Sequence, residues 1–463
     1  MKNRNFKRGY LLPAEFAVVL GLTLSSLGCV APRERLYYSA PTVISQTSRQ
    51  MQTPGFWISR NPDPDRVIMD PGQIERFNSR ISEELGLIRD IASLGDSYPG
   101  KRLADEFNKQ IKGFQRQGLY MFNGKKAGRD FYKTAEDLMA LAEIEPQIRV
   151  KFGFICAFAN QRLLPLEDGL YAKIKDLDFD ELQNSSLDIS TPVAVLHQSS
   201  DGKWLYLLSP LSDGWVRAEN VVLCGRQQLK DLLSSRRFSV VISAKADIFL
   251  DEQLTDHYDC LRMGSRIKAQ EDPADGIARV SIPARDGAGG FIEKTAYMKK
   301  TDLNLGYLPY TPRNMIEQAF KQLNSPYGWG GMNGEADCSQ FVKEVFACSG
   351  IYLPRNSSSQ ARIGALIAEF NNKEDSRSKR GALGKARGGI TILGLKGHIM
   401  LFLGMVDARP YAIHSLWAYR QRSGGKDTVR LVNRVAVTGL DLGEGSAKGS
   451  LLQRINNVRQ ISD

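Results

Sequence analysis

The spacing of apolar residues changes twice along this 463-residue chain, and neither one bundle nor one sheet accommodates both changes. Ile74, Phe77, Ile81, Leu85 and Ile88 recur at steps of three and four, the spacing of one helical face. Similar runs cover Leu103 to Phe114 and Phe131 to Ile144. Residues 66–150 therefore read as a helical segment. From about Phe152 the pattern shortens to strand-like runs between turn residues. Val193-Ala194-Val195-Leu196 leads through Asp201-Gly202 to Trp204-Leu205-Tyr206-Leu207, and Asp213-Gly214 precedes Trp215-Val216. A second block repeats this grammar with Ser239–Ile242, Asp247–Leu250, Met263–Ile267 and Gly290–Ile292. After residue 305 helical and strand-like patterns mix. The length alone suggests about three domains.

The first residues read as an export signal. Lys2, Arg4, Lys7 and Arg8 precede an apolar stretch densest from Phe16 to Leu24, which ends in Ser25-Ser26-Leu27-Gly28-Cys29. Residues 1–28 are expected to be a signal peptide, and a cysteine after a small residue resembles a bacterial lipobox, with Cys29 as the lipid anchor. The expected product is an exported periplasmic lipoprotein, held at the outer membrane in a two-membrane cell because Val30 follows the cysteine. Residues 29–65, rich in Pro, Ser, Thr, Gln and Arg, read as a tether. The formal charge of +11 loses four basic residues and one acid with the signal, leaving +8. The remaining basic residues are scattered and no nucleic-acid motif appears, so a membrane surface and an anionic wall polymer fit better than nucleic acid. No apolar run beyond the N-terminus is long enough to span a bilayer.

Of six cysteines, five lie beyond Cys29, an odd number that leaves at least one free thiol in an oxidising compartment. Cys156 and Cys224 bracket the first strand-rich block, a pairing that sequence leaves open. Cys338 differs in its context. Thr311-Pro312 starts a helix with apolar face Met315, Ile316, Ala319, Phe320 and Leu323. The glycine-rich loop Pro326-Tyr327-Gly328-Trp329-Gly330-Gly331 follows, then Ala336-Asp337-Cys338-Ser339-Gln340-Phe341-Val342. Phe341, Val342, Val345 and Phe346 place Cys338 at a helix start, where the dipole favours a thiolate and free N–H groups can hold an oxyanion. Four histidines are available as a base. His197 and His257 read as surface residues. His398 stands at the mouth of the apolar strand Ile399–Leu403, and His414 lies in Tyr411–Trp417, an expected hairpin neighbour. A second polar ring can fix the tautomer of the first.

The order Tyr327-Gly-Trp329-Gly-Gly, Asp337-Cys338-Ser339, Gly397-His398 and His414 resembles the NlpC/p60 family of cell-wall cysteine peptidases. The Gly-Trp-Val strand ending resembles bacterial SH3-like barrels. The resemblance implies a multidomain chain: SH3-like β-barrels at 151–230 and 236–303 behind the helical N-terminal segment, then a papain-like α+β catalytic domain at 305–463. It further implies cleavage of peptidoglycan stem peptides between γ-D-Glu and the diamino acid (diaminopimelate), with a preference for stems carrying a free L-Ala amine. Carried over position by position, Cys338 is the nucleophile, His398 the base and His414 its orienter. Tyr327 then lies near the oxyanion and Trp329 walls the groove, while Asp337 and Ser339 contact the D-Glu part. Pro354-Arg355-Asn356-Ser357 resembles a family segment that binds substrate, with Asn356 where the family has an amine-binding Asp. Tyr206 and Glu167 are candidates from the first barrel for closing the site. No metal or cofactor is implied, and a monomer is expected. The alternatives are a non-catalytic wall-binding lipoprotein, against which intact Cys338, His398 and His414 argue, and an amidase or acyl transferase on the same scaffold. The basic stretch Asn371 to Gly388 reads as a solvated loop, or as a flap that attracts stem-peptide carboxylates.

Overall fold

The computed structural model describes residues 43–271, 275–371 and 375–462. The signal peptide and Cys29 anchor lie outside the described residues. Three antiparallel sheets organise the rest, and no helix among the described residues is long and apolar enough to cross a membrane.

The first sheet has seven strands in the order Val221–Cys224, Lys151–Ile155, Pro192–Gln198, Trp204–Leu208, Asp213–Arg217, Ala159–Arg162, Gln183–Leu187. The expected Asp-Gly turn joins its third and fourth members: the Asp201 carboxylate accepts from Lys203 N–H at 3.0 Å, and Gly202 takes a left-handed φ of 71°. Trp204, Tyr206 and Trp215 alternate inward. The second sheet also has seven strands, ordered His257–Arg262, Lys245–Phe249, Phe291–Lys299, Ile277–Arg285, Arg266–Ala269, Phe238–Val241, Leu303–Leu305. Met263–Ser265, read from sequence as strand, instead makes the turn between strands, with Gly264 at a φ of 79°.

The helices at 66–150 share cores with their neighbours, which corrects the expectation of a separate helical domain. Helix Gly100–Gln117 buries Leu103, Phe107, Ile111 and Phe114. Phe107 packs 4.8 Å from Tyr206 and 5.2 Å from Trp215, so this stripe completes the core of the first sheet. Helix Pro71–Ser79 starts at an Asp70–Gln73 capping box. Its Phe77 and Ile81 join the core of the C-terminal domain instead, while Leu85 of the same stripe is exposed. Tyr206 is buried in that first core and is no part of a cleft. Glu167 is exposed and pairs with Arg217 of the same sheet.

The described part of the tether expected at 29–65 is ordered. Residues Gln50–Gln52 and Pro54–Ile58 are helical, and Met51, Trp57 and Ile58 are buried in the C-terminal core. Trp57 donates its indole N–H to the Met51 carbonyl at 2.9 Å and packs on Tyr411. Polar composition hid three large apolar residues that suffice to dock the segment.

The C-terminal sheet runs Ala365–Glu369, Ile455–Gln460, Thr391–Leu395, His398–Val406, Arg409–Ser423, Lys426–Gly439. A two-residue turn with positive φ at Asp407 and Ala408 joins the two histidine-bearing strands. Helices Pro312–Lys321 and Cys338–Ala347 bury their apolar faces in the core on one side of this sheet. The basic stretch is no flap: Lys379 is buried and donates to the Gln453 and Ile455 carbonyls, Arg380 pairs with Asp441, and Arg387 with Asp63. All five described cysteines are free thiols.

Trp57→Ala should cost about 3–5 kcal/mol of unfolding free energy, the usual price of deleting a buried large aromatic. Urea denaturation measures it, and a change below about 1 kcal/mol would return this segment to the status of a tether.

Candidate active site at Cys338

Asp337 sets the start of the helix that carries Cys338. Its backbone is extended, and its carboxylate accepts from Ser339 N–H at 3.0 Å and Gln340 N–H at 2.9 Å. Phe341 N–H goes to the Asp337 carbonyl. Three of the first four helical N–H groups are thus engaged, and the N–H of Cys338 itself is the one not taken by the cap. Arg355 pairs with the same carboxylate at 2.7 Å. It also donates to the Ser339 hydroxyl at 3.1 Å and to the Ser185 hydroxyl of the first sheet at 3.1 Å. This pair is buried and fully hydrogen-bonded, the condition under which burying charge is tolerated.

The Cys338 side chain is 7% exposed. Burial, then the Asp337 carboxylate, push its thiol up to about 12, against lowering by the Ile399 N–H, the Arg355 charge and the Ser339 N–H. The expectation of a dipole-stabilised thiolate is therefore reversed, chiefly because the sulfur is buried and secondarily because the helix cap brings a negative charge beside it. The Ile399 contact places the sulfur at the head of the His398–Val406 strand.

His398 and His414 meet as the hairpin implies. His398 Nε2 lies 2.6 Å from His414 Nδ1, and His414 Nε2 lies 2.9 Å from Thr438 Oγ1 on the next strand. One proton arrangement serves the chain in the direction of the sulfur: His414 donates from Nε2 to Thr438, and His398 donates from Nε2 to His414. His398 Nδ1 is then the free base nitrogen. Burial holds His398 down to about 4, with Arg454 lowering it further and Asp337 opposing. His414, wholly buried and beside His398, is pushed well below the ordinary histidine range. Thr438 had no sequence signal beyond its place in a strand. Of the other histidines, His257 is exposed as expected, whereas His197 is half-buried and bonds the Met139 carbonyl.

The aromatic loop forms a wall together with the first sheet's domain. Trp329 donates its indole N–H to the Asp180 carbonyl at 3.0 Å. Phe179 packs against Trp329 at 5.2 Å, Trp417 at 5.2 Å and Tyr327 at 6.3 Å. Gly330 and Gly331, at φ 58° and 82°, let the loop press on Gln183 and Ser186, where a Cβ would collide. Tyr327 is half-buried. Burial and the neighbouring Cys338 and Asp337 charges raise its hydroxyl, so it stays protonated. Phe179 and Trp417 escaped the sequence reading: one lies among acids in a loop, the other near the exposed end of a strand. Asn356 is exposed, and its Oδ1 accepts from Ser359 N–H and the Ser358 hydroxyl as the cap of helix Ser357–Gln360. Ser357 is half-buried at that helix's first position. Among the described residues no group of His, Cys, Asp and Glu is arranged to hold a metal ion.

Residues 324–408 match the NlpC/P60 family, and residues 170–217 match an SH3 domain of the SH3b1 type. The chain is 48% identical over 61 residues to the probable endopeptidase p60 of Listeria innocua and 44% identical over 61 residues to that of Listeria monocytogenes. These stretches cover 13% of this chain, and only 13% and 12% of the Listeria proteins. An NlpC/P60 endopeptidase from Photobacterium damselae subsp. piscicida shares the fold, with a TM-score of 0.73 over 91% of this chain and 99% of that one, at 19% identity.

The two depressed imidazoles make stability pH-dependent. An unfolded chain protonates both near about pH 6.5. Below that pH the unfolded state binds protons that the folded state refuses, so stability present above about pH 6.5 is lost as pH falls towards about 4. His414→Gln removes one such proton and should reduce the loss by about 1.4 kcal/mol per pH unit between about pH 6 and 4.5. Urea midpoints measured across this window test it, and parallel slopes for the two proteins would refute a neutral buried His414.

Proposed function

We propose that this chain, which carries an NlpC/P60 domain behind an SH3 domain, is a peptidoglycan stem-peptide hydrolase that cleaves the γ-D-Glu–diamino acid bond through Cys338. The observation that carries the reading is the hydrogen-bonded line His398–His414–Thr438 ending at the strand head beside the Cys338 sulfur. In the resting site the cysteine is a thiol and His398 is neutral. His398 Nδ1 takes the thiol proton as the sulfur attacks the γ-carbonyl carbon, and the resulting imidazolium is held by its Nε2–H on His414 Nδ1. The Cys338 N–H is the backbone donor for the oxyanion, with the Tyr327 hydroxyl as its neighbour. His398 then protonates the departing amine of the diamino acid. Water, deprotonated by His398, attacks the thioester, and the carboxylate product leaves with the thiol restored.

Asp337, Ser339 and Arg355 are the polar groups beside the nucleophile and suit the D-Glu part of the stem. Trp329, with Tyr327 and Phe179, walls the groove. Ser357 and Asn356 border the side where a free L-Ala amine would sit. Asn356 offers an amide already engaged as a helix cap and supplies no charge, so preference for a free amine is weaker here than a carboxylate would give. The Cys29 anchor, the outer-membrane placement and the monomeric state complete the proposal for an exported lipoprotein, and the second seven-stranded sheet is read as a further SH3-like barrel.

Incubation of the protein with L-Ala-γ-D-Glu-diaminopimelate, read by mass spectrometry, should release L-Ala-γ-D-Glu and free diaminopimelate. Cys338→Ala should release neither, and equal cleavage by that variant sinks the peptidase reading. Asn356→Asp keeps the helix cap and adds the missing charge. It should raise discrimination against an amino-blocked substrate by about tenfold, the effect of one charge-assisted hydrogen bond. Unchanged discrimination would place the amine elsewhere.

A further inference from the structure

A cavity of about 380 Å³ opens where the two seven-stranded sheets meet the Cys338–Ala347 helix. Cys338, His398 and Tyr327 do not line it, and Arg355 is the side chain it shares with the site described above. The helix contributes Gln340, Lys343 and Ala347, residues on one face at steps of three and four. The walls are largely apolar, with Leu187, Ile189, Leu232, Met263 and Leu353 among them.

The charges in this cavity do not balance. Of its cationic side chains, four are matched by carboxylates: Arg89 with Asp213 at 2.7 Å, Arg262 with Asp188 at 2.9 Å, Lys268 with Glu293 at 2.6 Å and Arg355 with Asp337 at 2.7 Å. Arg266 donates to the Leu233 and Ser235 carbonyls, each at 2.6 Å, and meets no carboxylate. Lys343 has neither a hydrogen bond nor an ion pair among the described residues. Burial and the nearby Arg262 charge push its ammonium down to about 8. Lys343 is half-buried at the cavity wall, the Glu344 and Asp188 charges only partly offset this lowering, and an anion in the cavity would pair with it directly.

We propose that this cavity binds a small organic carboxylate, with its apolar body along the Leu187, Leu232 and Met263 walls and its carboxylate on Lys343. The volume falls at the lower end of pockets that hold small molecules, roughly 300–1,000 Å³. The apolar lining favours an amphipathic anion over an inorganic one, which would leave those walls wet. A lysine ammonium is a point charge suited to one carboxylate oxygen. The occupant touches the helix of the nucleophile and Arg355, yet the inference rests on no part of the peptidase reading.

The test is calorimetric titration of the full chain with 4-phenylbutyrate, with 4-phenylbutanol and inorganic phosphate as controls. Binding of 4-phenylbutyrate well ahead of both controls is expected. Lys343→Gln should weaken it by about tenfold, and Lys343→Arg should keep it within about threefold of the parent. Thermal melts of both unliganded variants report whether the fold survives. If Lys343→Gln does not fold, competition on the parent decides: an acid that binds no better than the alcohol overturns the proposal. So does tighter binding of phosphate, or equal affinity in a folded Lys343→Gln protein.

Discussion

The buried pair between Asp337 and Arg355 ties the molecule together. The Asp337 carboxylate starts the Cys338 helix by taking two of its N–H groups. Arg355 holds that carboxylate from the following loop and reaches Ser185 in the first sheet. One ion pair thus joins three elements that are far apart in sequence. Removing either partner would leave a charge buried without its counter-ion, which costs roughly 3–5 kcal/mol in comparable sites. It also sets the chemistry, because the charge that caps the helix raises the neighbouring thiol. In the proposed reaction the thiol therefore loses its proton during attack rather than before it, and the neutral His398 receives it.

That positioning is the work of the sheet. Three adjacent strands each give one polar side chain to a single line, His398, His414 and Thr438. Antiparallel pairing fixes their order, and burial keeps both rings neutral. A two-residue turn at Asp407-Ala408 sets the register of the first two. The line runs from the fourth strand of the six-stranded sheet to the sixth, the edge strand Lys426–Gly439.

What the sequence made legible follows from range. Local patterns named the Cys338 helix, the histidine hairpin and the turn at Asp201-Gly202, because each depends on residues a few positions apart. Long-range docking was not legible. An amphipathic stripe shows that a face is buried and not what buries it, so Phe107 was not assigned to the first sheet nor Phe77 to the C-terminal core. The segment around Trp57 was hidden by its polar composition. Phe179 gave no pattern at all. The thiol misled for a reason of magnitude: a helix dipole contributes roughly 0.3–1 kcal/mol, whereas burial can move a titrating group by several pKa units. The basic stretch after Asn371 misled because Lys379, Arg380 and Arg387 find their partners far away, at Gln453, Asp441 and Asp63.

The docking of Met51, Trp57, Phe77 and Ile81 into the C-terminal core has a consequence in time. These residues are synthesised well before the surface that covers them, from Met315 to Ile461. At roughly 5–20 residues per second, the intervening chain takes on the order of ten to eighty seconds to synthesise. Through that interval an apolar stripe waits without its partner while the two sheets between can already form. The segment that braces the Cys338 domain therefore cannot dock until the residues from Met315 onward have been made.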